Sequence, residues 1–274
     1  MSTIRIPYEH LPPAARAAIE ATTGPVLSTE SPAEGLNSAV AAKLHTATGA
    51  YFVKALPSDH RWVWTQQREA DIAPYVRSVA PRLIAHTVTS GWNILIFEAL
   101  PGRHADYQPG SADLPKVAHL IRRIGELPTP QIELRDATQR LAAYVTHDDD
   151  LLHFAGDTLL HTDWNNSNII IGDDARIVDW GWATRGAPWL DTAYWTIWLI
   201  AAGHDPESAE CHAVQIPSWH SASTAGLNAF AAANARLWTE IGGDHPDPWT
   251  KRIMTAANDW HEYRLSKPLR HTDQ

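Results

Sequence analysis

The chain has one cysteine, Cys211, among 274 residues, so it closes no intramolecular disulfide and builds no cysteine-rich metal site. The lone thiol reads as a small apolar side chain. Positive charge is also scarce: 22 Lys and Arg against 31 Asp and Glu leave a formal net charge of −9. This balance argues against affinity built on neutralising nucleic-acid phosphates or anionic lipid, so neither partner is expected. Long hydrophobic runs are missing too. The longest apolar stretch, Thr192 to Gly203, is headed by Asp191 and is too short to span a bilayer. Residues 1–13 lack the charged, apolar and small-residue succession of a secretory signal, which makes the cytoplasm the expected location. The 15 histidines are scattered, with no HxxxH or HExxH pair, and this excludes the helical two-histidine metal motif. What is abundant is tryptophan. Of 13, six (Trp164, Trp180, Trp182, Trp189, Trp195 and Trp198) fall within 35 residues and mark the densest packing. With 44% apolar and 19% charged residues the composition is that of a folded globular chain.

The patterning divides the chain near residue 100. Pro12 to Ala21 reads as a short helix stopped by Gly24-Pro25. Leu36 to Lys43 and Tyr51 to Leu56 read as strands of a hairpin, and Leu83 to Val88 with Trp92 to Phe97 form a second about Ser90-Gly91. Between the hairpins, Arg61 to Val79 has the spacing of an amphipathic helix. Helices then dominate: Pro115 to Glu126, Arg135 to Thr146, Asp191 to Ala202, Thr224 to Ile241 and Pro248 to Arg264, with Asp191 and Asp247 as expected N-caps. The expectation is an α+β chain of two lobes, a β-rich one over residues 1–99 and a mainly helical one over 100–274.

Two segments carry the chemistry. Leu160-His161-Thr162-Asp163-Trp164-Asn165-Asn166-Ser167-Asn168 runs into the strand Ile169 to Ile171, and eleven residues after Asn168 comes Asp179 in Val178-Asp179-Trp180-Gly181. A tight hairpin about Gly172-Asp173-Asp174 would bring Asn168 and Asp179 to one open end. Hard cations that bridge nucleotide phosphates prefer such carboxylate and amide oxygens, and Asp163 stands where it can take a proton from an incoming hydroxyl. In the first hundred residues, Tyr51-Phe52-Val53-Lys54-Ala55 puts a lysine inside an apolar strand, where its ammonium needs an anion. Glu69, or Asp71 half a turn on, is the available partner.

In order and spacing these segments resemble the HxDxxxxN catalytic loop and DFG-type metal segment of protein kinases and aminoglycoside phosphotransferases. Trp164 and the Asp-Trp-Gly sequence make the small-molecule phosphotransferase branch the nearer likeness. The resemblance runs through Gly35, Lys54, Glu69, Asp163, Asn168, Asp179 and Asp191, about two thirds of the chain. It implies a bilobal protein-kinase-like fold and an ATP- or GTP-dependent O-phosphotransferase, with Asp163 as base, Asn168 and Asp179 as Mg2+ ligands, and Lys54 with Glu69 aimed at the α- and β-phosphates. His161 and Asp191 would brace the loop, Asp191 as a helix cap. Ile96 to Pro101 would be the hinge that reads the base; because Pro101 has no N–H, the donors fall to Glu98, Ala99 and Leu100. No GxGxxG precedes Lys54; Ala33-Glu34-Gly35-Leu36-Asn37-Ser38 stands there, offering Gly35 and Ser38 to the phosphates.

The expected acceptor is a small molecule bearing a hydroxyl, such as an aminoglycoside, another antibiotic or a sugar, in a resistance or a metabolic role. Asp106, Tyr107, Trp182, Arg185, Trp195, Asp259, Trp260, Glu262 and Tyr263 are the candidate contacts, carboxylates for a polycation and tryptophan faces for a sugar or cation. A Ser/Thr kinase of a biosynthetic precursor peptide is the alternative, but Gly181 to Thr192 leaves little room for an activation segment. A nucleotide-binding pseudokinase would not need all of Lys54, Glu69, Asp163, Asn168 and Asp179. A monomer or weak dimer is expected.

Overall fold

The computed structural model describes residues 5–31 and 38–267. The chain falls into two compact units, one of residues up to Gly102 together with Arg176–Trp182, the other of Arg103–Ala175 and the residues from Ala183 onward. It is a mixed α/β chain, sheet-rich in its N-terminal region and helical in its C-terminal region. None of the described helices is long and apolar enough to cross a membrane.

In the first unit, helix α1 (Pro13–Thr23) ends at Gly24, whose φ of 78° suits a residue without Cβ. Strands β1 (Val26–Glu30), β2 (Val40–Thr46), β3 (Gly49–Pro57), β4 (Leu83–Thr89) and β5 (Trp92–Glu98) form an antiparallel sheet in the order β1-β2-β3-β5-β4. The β4–β5 turn has Ser90 and Gly91 both at positive φ, the requirement of a tight two-residue hairpin. Period-two alternation then decides which face each residue serves. Val40, Ala42, Leu44, Val53, Ala55, Ile94 and Ile96 point to one side and pack with Leu11, Ala15 and Ile19 around α1. Lys54 lies in register with Leu95, and Leu95 and Phe97 pack on Ala70 of helix α2 (Val63–Ile72). Lys54 therefore faces α2.

Two expectations are corrected here, and one strand is new. Helix α2 stops at Ile72 rather than reaching Val79: Ala73 keeps helical dihedrals and still bonds the Glu69 carbonyl, but Pro74 has no N–H to carry the ladder on. The strand expected from Leu36 starts at Val40 and continues to Thr46, with residues 36 and 37 outside those described. Strand β1 had no apolar alternation to announce it; it is a half-exposed edge with a register shift between Val26 and Ser28.

The second unit contains β6 (Arg103–His104), α3 (Leu114–Gly125), β7 (Arg135–Asp136), α4 (Ala137–Leu141), β8 (Thr158–Leu160) and β9 (Ile169–Ile171). The chain returns to the first unit within β10 (Ala175–Ile177), then contributes β11 (Thr184–Gly186) and helices α5 (Leu190–Ala201), α6 (Pro206–Ala213), α7 (Thr224–Gly242) and α8 (Pro248–Ser266) to the second. Helix α5 is apolar on nearly every side and buried accordingly, packed by α6 and α8. The rings of Phe154, Trp189, Tyr194, Phe230 and Trp260 meet edge to face beside it.

The helix expected over Arg135 to Thr146 is broken. Asp136 accepts from the N–H groups of Thr138 and Gln139 and so caps α4, while Arg135 and Asp136 pair in parallel with β11. The small sheet runs β7-β11-β8. Helix α6, absent from the sequence reading, carries the same Asp-Pro signal as α8: Asp205 caps it and Pro206 opens it, as Asp247 and Pro248 do for α8.

Candidate active site

In the first unit the central feature is Lys54. Its Nζ donates to Glu69 Oε1 at 2.8 Å, Glu69 Oε2 at 2.9 Å and Asp179 Oδ1 at 3.0 Å. Lys54 and Glu69 are buried, and the Asp179 side chain is 31% exposed. Asp71, the other possible partner, accepts from Gln67 Nε2 instead. Burial by itself would lower the Lys54 ammonium; Asp179 and Glu69 outweigh it and hold the group above its usual value. Glu69 is raised, first by burial and then by the Asp179 charge, with Lys54 opposing. One cation for two carboxylates leaves the trio anionic, so both shifts point the same way.

Two backbone features make this trio possible. Asp179 sits at φ 69°, a left-handed conformation that a non-glycine residue adopts at a cost. Gly181 lies so close to α2 that a Cβ would stand 2.9 Å from Thr65 Cβ and 3.2 Å from the Thr65 carbonyl oxygen. Glycine thus lets Asp179–Trp182 press on the helix that carries Glu69. Trp182 seals the contact, its ring 5.8 Å from Trp62 and 5.2 Å from Trp64. It packs in this half-buried trio rather than standing open as a stacking face.

Gly35 lies outside the described residues, and Ser38 is buried just ahead of β2. The hinge expectation needs correcting. The Glu98 N–H donates to the Arg82 carbonyl and the Ala99 N–H to the Ala50 carbonyl, so two of the three expected donors are already used in extending the sheet. Leu100 is the remaining one. The Glu98 carboxylate accepts from the Arg82 amide and from Arg176 Nη1.

In the second unit, β8 leads into the loop that carries Asp163. The His161 and Thr162 N–H groups donate to the two oxygens of Asp191 at 2.9 and 2.8 Å, and the Asp163 N–H donates to His161 Nδ1 at 3.3 Å. His161 is fully buried, edge-on to Trp164. Asp191 does not cap α5, as had been expected; it lies in the helix's first turn, with Trp189 at the N-cap. Burial pushes its carboxyl up to about 6 against the pull of the two N–H groups and the Arg140 guanidinium. Asn168 donates Nδ2 to the Asp163 carbonyl at 3.2 Å, which leaves its amide oxygen as the acceptor end.

The acceptor candidates separate by burial. Trp195 and Trp260 are fully enclosed and Tyr107 nearly so; Trp195 stands edge-on to Tyr107, and Trp260 gives its indole N–H to Glu210. They are core residues: Trp195 is carried inward by the all-round apolar helix α5, and Trp260 by the buried face of α8. Asp106, Asp259 and Glu262 are exposed. Arg185 pairs with Asp136 at 3.5 Å. Sequence reasoning missed Arg140, whose Nη1 donates to Thr162 Oγ1 and Thr184 Oγ1. No local pattern marks an arginine whose partners lie 22 and 44 residues away.

No protein-family model and no curated protein matches the sequence. Solved structures do. The choline kinase LicA from Streptococcus pneumoniae aligns with a TM-score of 0.62 at 15% identity, over 91% of this chain and 99% of that one. LicA in complex with AMP gives 0.64 at 14%, over 93% and 99%. A thermostable mutant of aminoglycoside phosphotransferase APH(4)-Ia, in a ternary complex with AMP-PNP and hygromycin B, gives 0.59 at 14%, over 90% and 98%. At such identities the likeness speaks for the fold, and the chain has the protein-kinase-like fold of the aminoglycoside phosphotransferases and choline kinase.

Proposed function

We propose that the chain is an ATP- or GTP-dependent phosphotransferase acting on a hydroxyl of a small molecule. The observation that carries this reading is the buried Lys54 ammonium enclosed by Glu69 and Asp179. A lysine fixed by a helical glutamate is aimed, and an aimed cation is what the α- and β-phosphates of a nucleotide need. The AMP and AMP-PNP complexes of proteins with this fold support the nucleotide.

In this reading Asp163 accepts the proton of the acceptor hydroxyl while that oxygen bonds to the γ-phosphorus. The bond from phosphorus to the bridging oxygen breaks, and the nucleoside diphosphate leaves with its electron pair. Leu100 offers its N–H to the base, and Gly35 and Ser38 lie on the segment assigned to the phosphates. His161 and Asp191 hold the loop.

Asp179 and Asn168 are assigned to magnesium. The donor chemistry fits: both carry oxygen, and the Asn168 amide spends its nitrogen on the Asp163 carbonyl, so its oxygen is the atom left to accept. The described residues contain no group of three or more His, Cys, Asp and Glu able to hold a metal ion, and magnesium commonly takes only one or two protein carboxylates beside nucleotide phosphates. Magnesium, when bound, supplies positive charge to the phosphate oxygens.

The test is thermal stabilisation by ATP and by GTP, with and without magnesium, followed by transfer of labelled γ-phosphate to choline, aminoglycosides, cyclic peptide antibiotics, sugars and Ser-containing peptides. A magnesium-dependent shift and label on one small-molecule class are the expected outcome. Label on peptides alone would make it a peptide kinase, and no shift with either nucleotide would leave a pseudokinase.

A further inference from the structure

We propose that Arg140 is a positioning residue for Asp163, acting through Thr162; this rests on the reading of Asp163 as the base. Thr162, immediately before Asp163, is β-branched yet sits at φ 69°. That region is sparsely populated for any residue with a Cβ and least hospitable to a branched one. Such a conformation persists only when its surroundings over-determine it, and here both ends of the residue are fastened. Its N–H is given to Asp191 Oδ1 at 2.8 Å, and its hydroxyl oxygen accepts from Arg140 Nη1 at 2.6 Å.

The same Nη1 donates to Thr184 Oγ1 at 2.7 Å. Thr184 is fully buried in β11, where it is in register with Leu160, the last residue of β8 before His161. Arg140 thus ties the loop to the strand alongside the one from which the loop emerges. Its own place is set by α4, whose start is fixed by the Asp136 cap. Both bonds are charge-assisted and short, the class of hydrogen bond with the strongest geometric hold. Releasing Thr162 lets φ relax toward negative values, and a peptide rotation there swings the Asp163 carboxylate, which must meet a hydroxyl within hydrogen-bond reach.

The experiment uses the full chain and the variants Arg140→Met, Arg140→Lys, Thr162→Val and Arg140→Met/Thr162→Val. The first readout is amide hydrogen exchange over residues 158–165. Arg140→Met and Thr162→Val are each expected to speed exchange there about tenfold or more, with the double variant no faster than either single one. Arg140→Lys, whose ammonium carries three donors, should keep part of the protection, and with Thr162→Val it carries the test if Arg140→Met does not fold.

The second readout is turnover of magnesium-ATP, with water or whichever acceptor the panel identifies. The kcat is expected to fall about tenfold to a hundredfold, with the KM for ATP within about twofold of the parent. Unchanged exchange in Arg140→Met and Thr162→Val overturns the proposal whatever the activity. Faster exchange with kcat preserved also overturns it, reducing Arg140 to a brace. A parent that transfers phosphate to nothing defeats the phosphotransferase reading and the positioning role with it, and the exchange data then show separately whether Arg140 holds the loop.

Discussion

Replacing Lys54 with Met keeps the volume of the side chain and removes its charge, leaving the buried Glu69 carboxylate beside Asp179 with no cation between them. Breaking a buried pair by deleting one partner costs about 3–5 kcal/mol, most of it the burden of an uncompensated buried ion. For a chain of this size each kcal/mol moves the midpoint about 2–4 °C, so Lys54→Met should melt roughly 6–20 °C below the parent at pH 7.5. The deficit should shrink as the pH falls. Without Lys54 the folded-state pKa of Glu69 rises further above its ordinary 4.5, so the variant recovers stability as that carboxylate takes up a proton. Removing the second charge should recover it as well: Lys54→Met/Glu69→Leu is expected within about 2 kcal/mol of the parent, because well-packed apolar residues replace a buried pair at little cost. The assay is urea unfolding followed by tryptophan fluorescence, with hydrogen exchange over β3 and α2 to locate the loss in the first unit. A Lys54→Met variant within about 1 kcal/mol of the parent, or a double variant whose loss is the sum of the two single ones, would refute the argument.

Asp163→Asn should lower turnover about a hundredfold to ten-thousandfold while leaving the magnesium-ATP thermal shift in place; undiminished turnover would remove Asp163 from the chemistry. Gly181→Ala places a Cβ 2.9 Å from Thr65 Cβ and should cost about 1–3 kcal/mol in urea unfolding, with weaker nucleotide binding as α2 is pushed away; an unchanged midpoint would mean that the contact yields freely. Asp191 titrates near 6 when folded against an ordinary 3.8, so the folded chain holds this proton more tightly than the unfolded one. Its ionisation therefore withdraws up to about 3 kcal/mol of stability as the pH rises from about 4 to 6, and relative to Asp191→Asn the parent should gain stability on acidification across that window. A stability difference that stays flat over this range would place the carboxyl at its ordinary value.

Much of this molecule was written locally. The two hairpins and the Pro-opened, Asp-capped helix α8 follow from periods of two and 3.6 and from capping chemistry, which act within a few residues. The same local logic put Lys54 on a buried strand and Asp163 and Asn168 on a loop before a strand. It failed where a neighbour distant in sequence took over. Asp136 gave its side chain to a cap and its backbone to β11, so that the helix expected from Arg135 begins only at Ala137. Glu98 and Ala99 spent their N–H groups on Arg82 and Ala50. Trp195 went into the core, where packing rather than residue type decides whether an aromatic face is available.

The sequence by itself determined that a lysine would be buried and would need an anion, because an unpaired ammonium in an apolar strand is untenable. Only the tertiary structure decided which anions these would be. Glu69 rather than Asp71 turns to Lys54 because α2 lays Ala70 against Leu95 and Phe97, and Asp179 arrives from 125 residues away because Gly181 lets its segment close on Thr65. Arg140 and Thr162 belong to the same class: a backbone held at positive φ by a distant guanidinium is a product of packing, and no spacing along the chain encodes it.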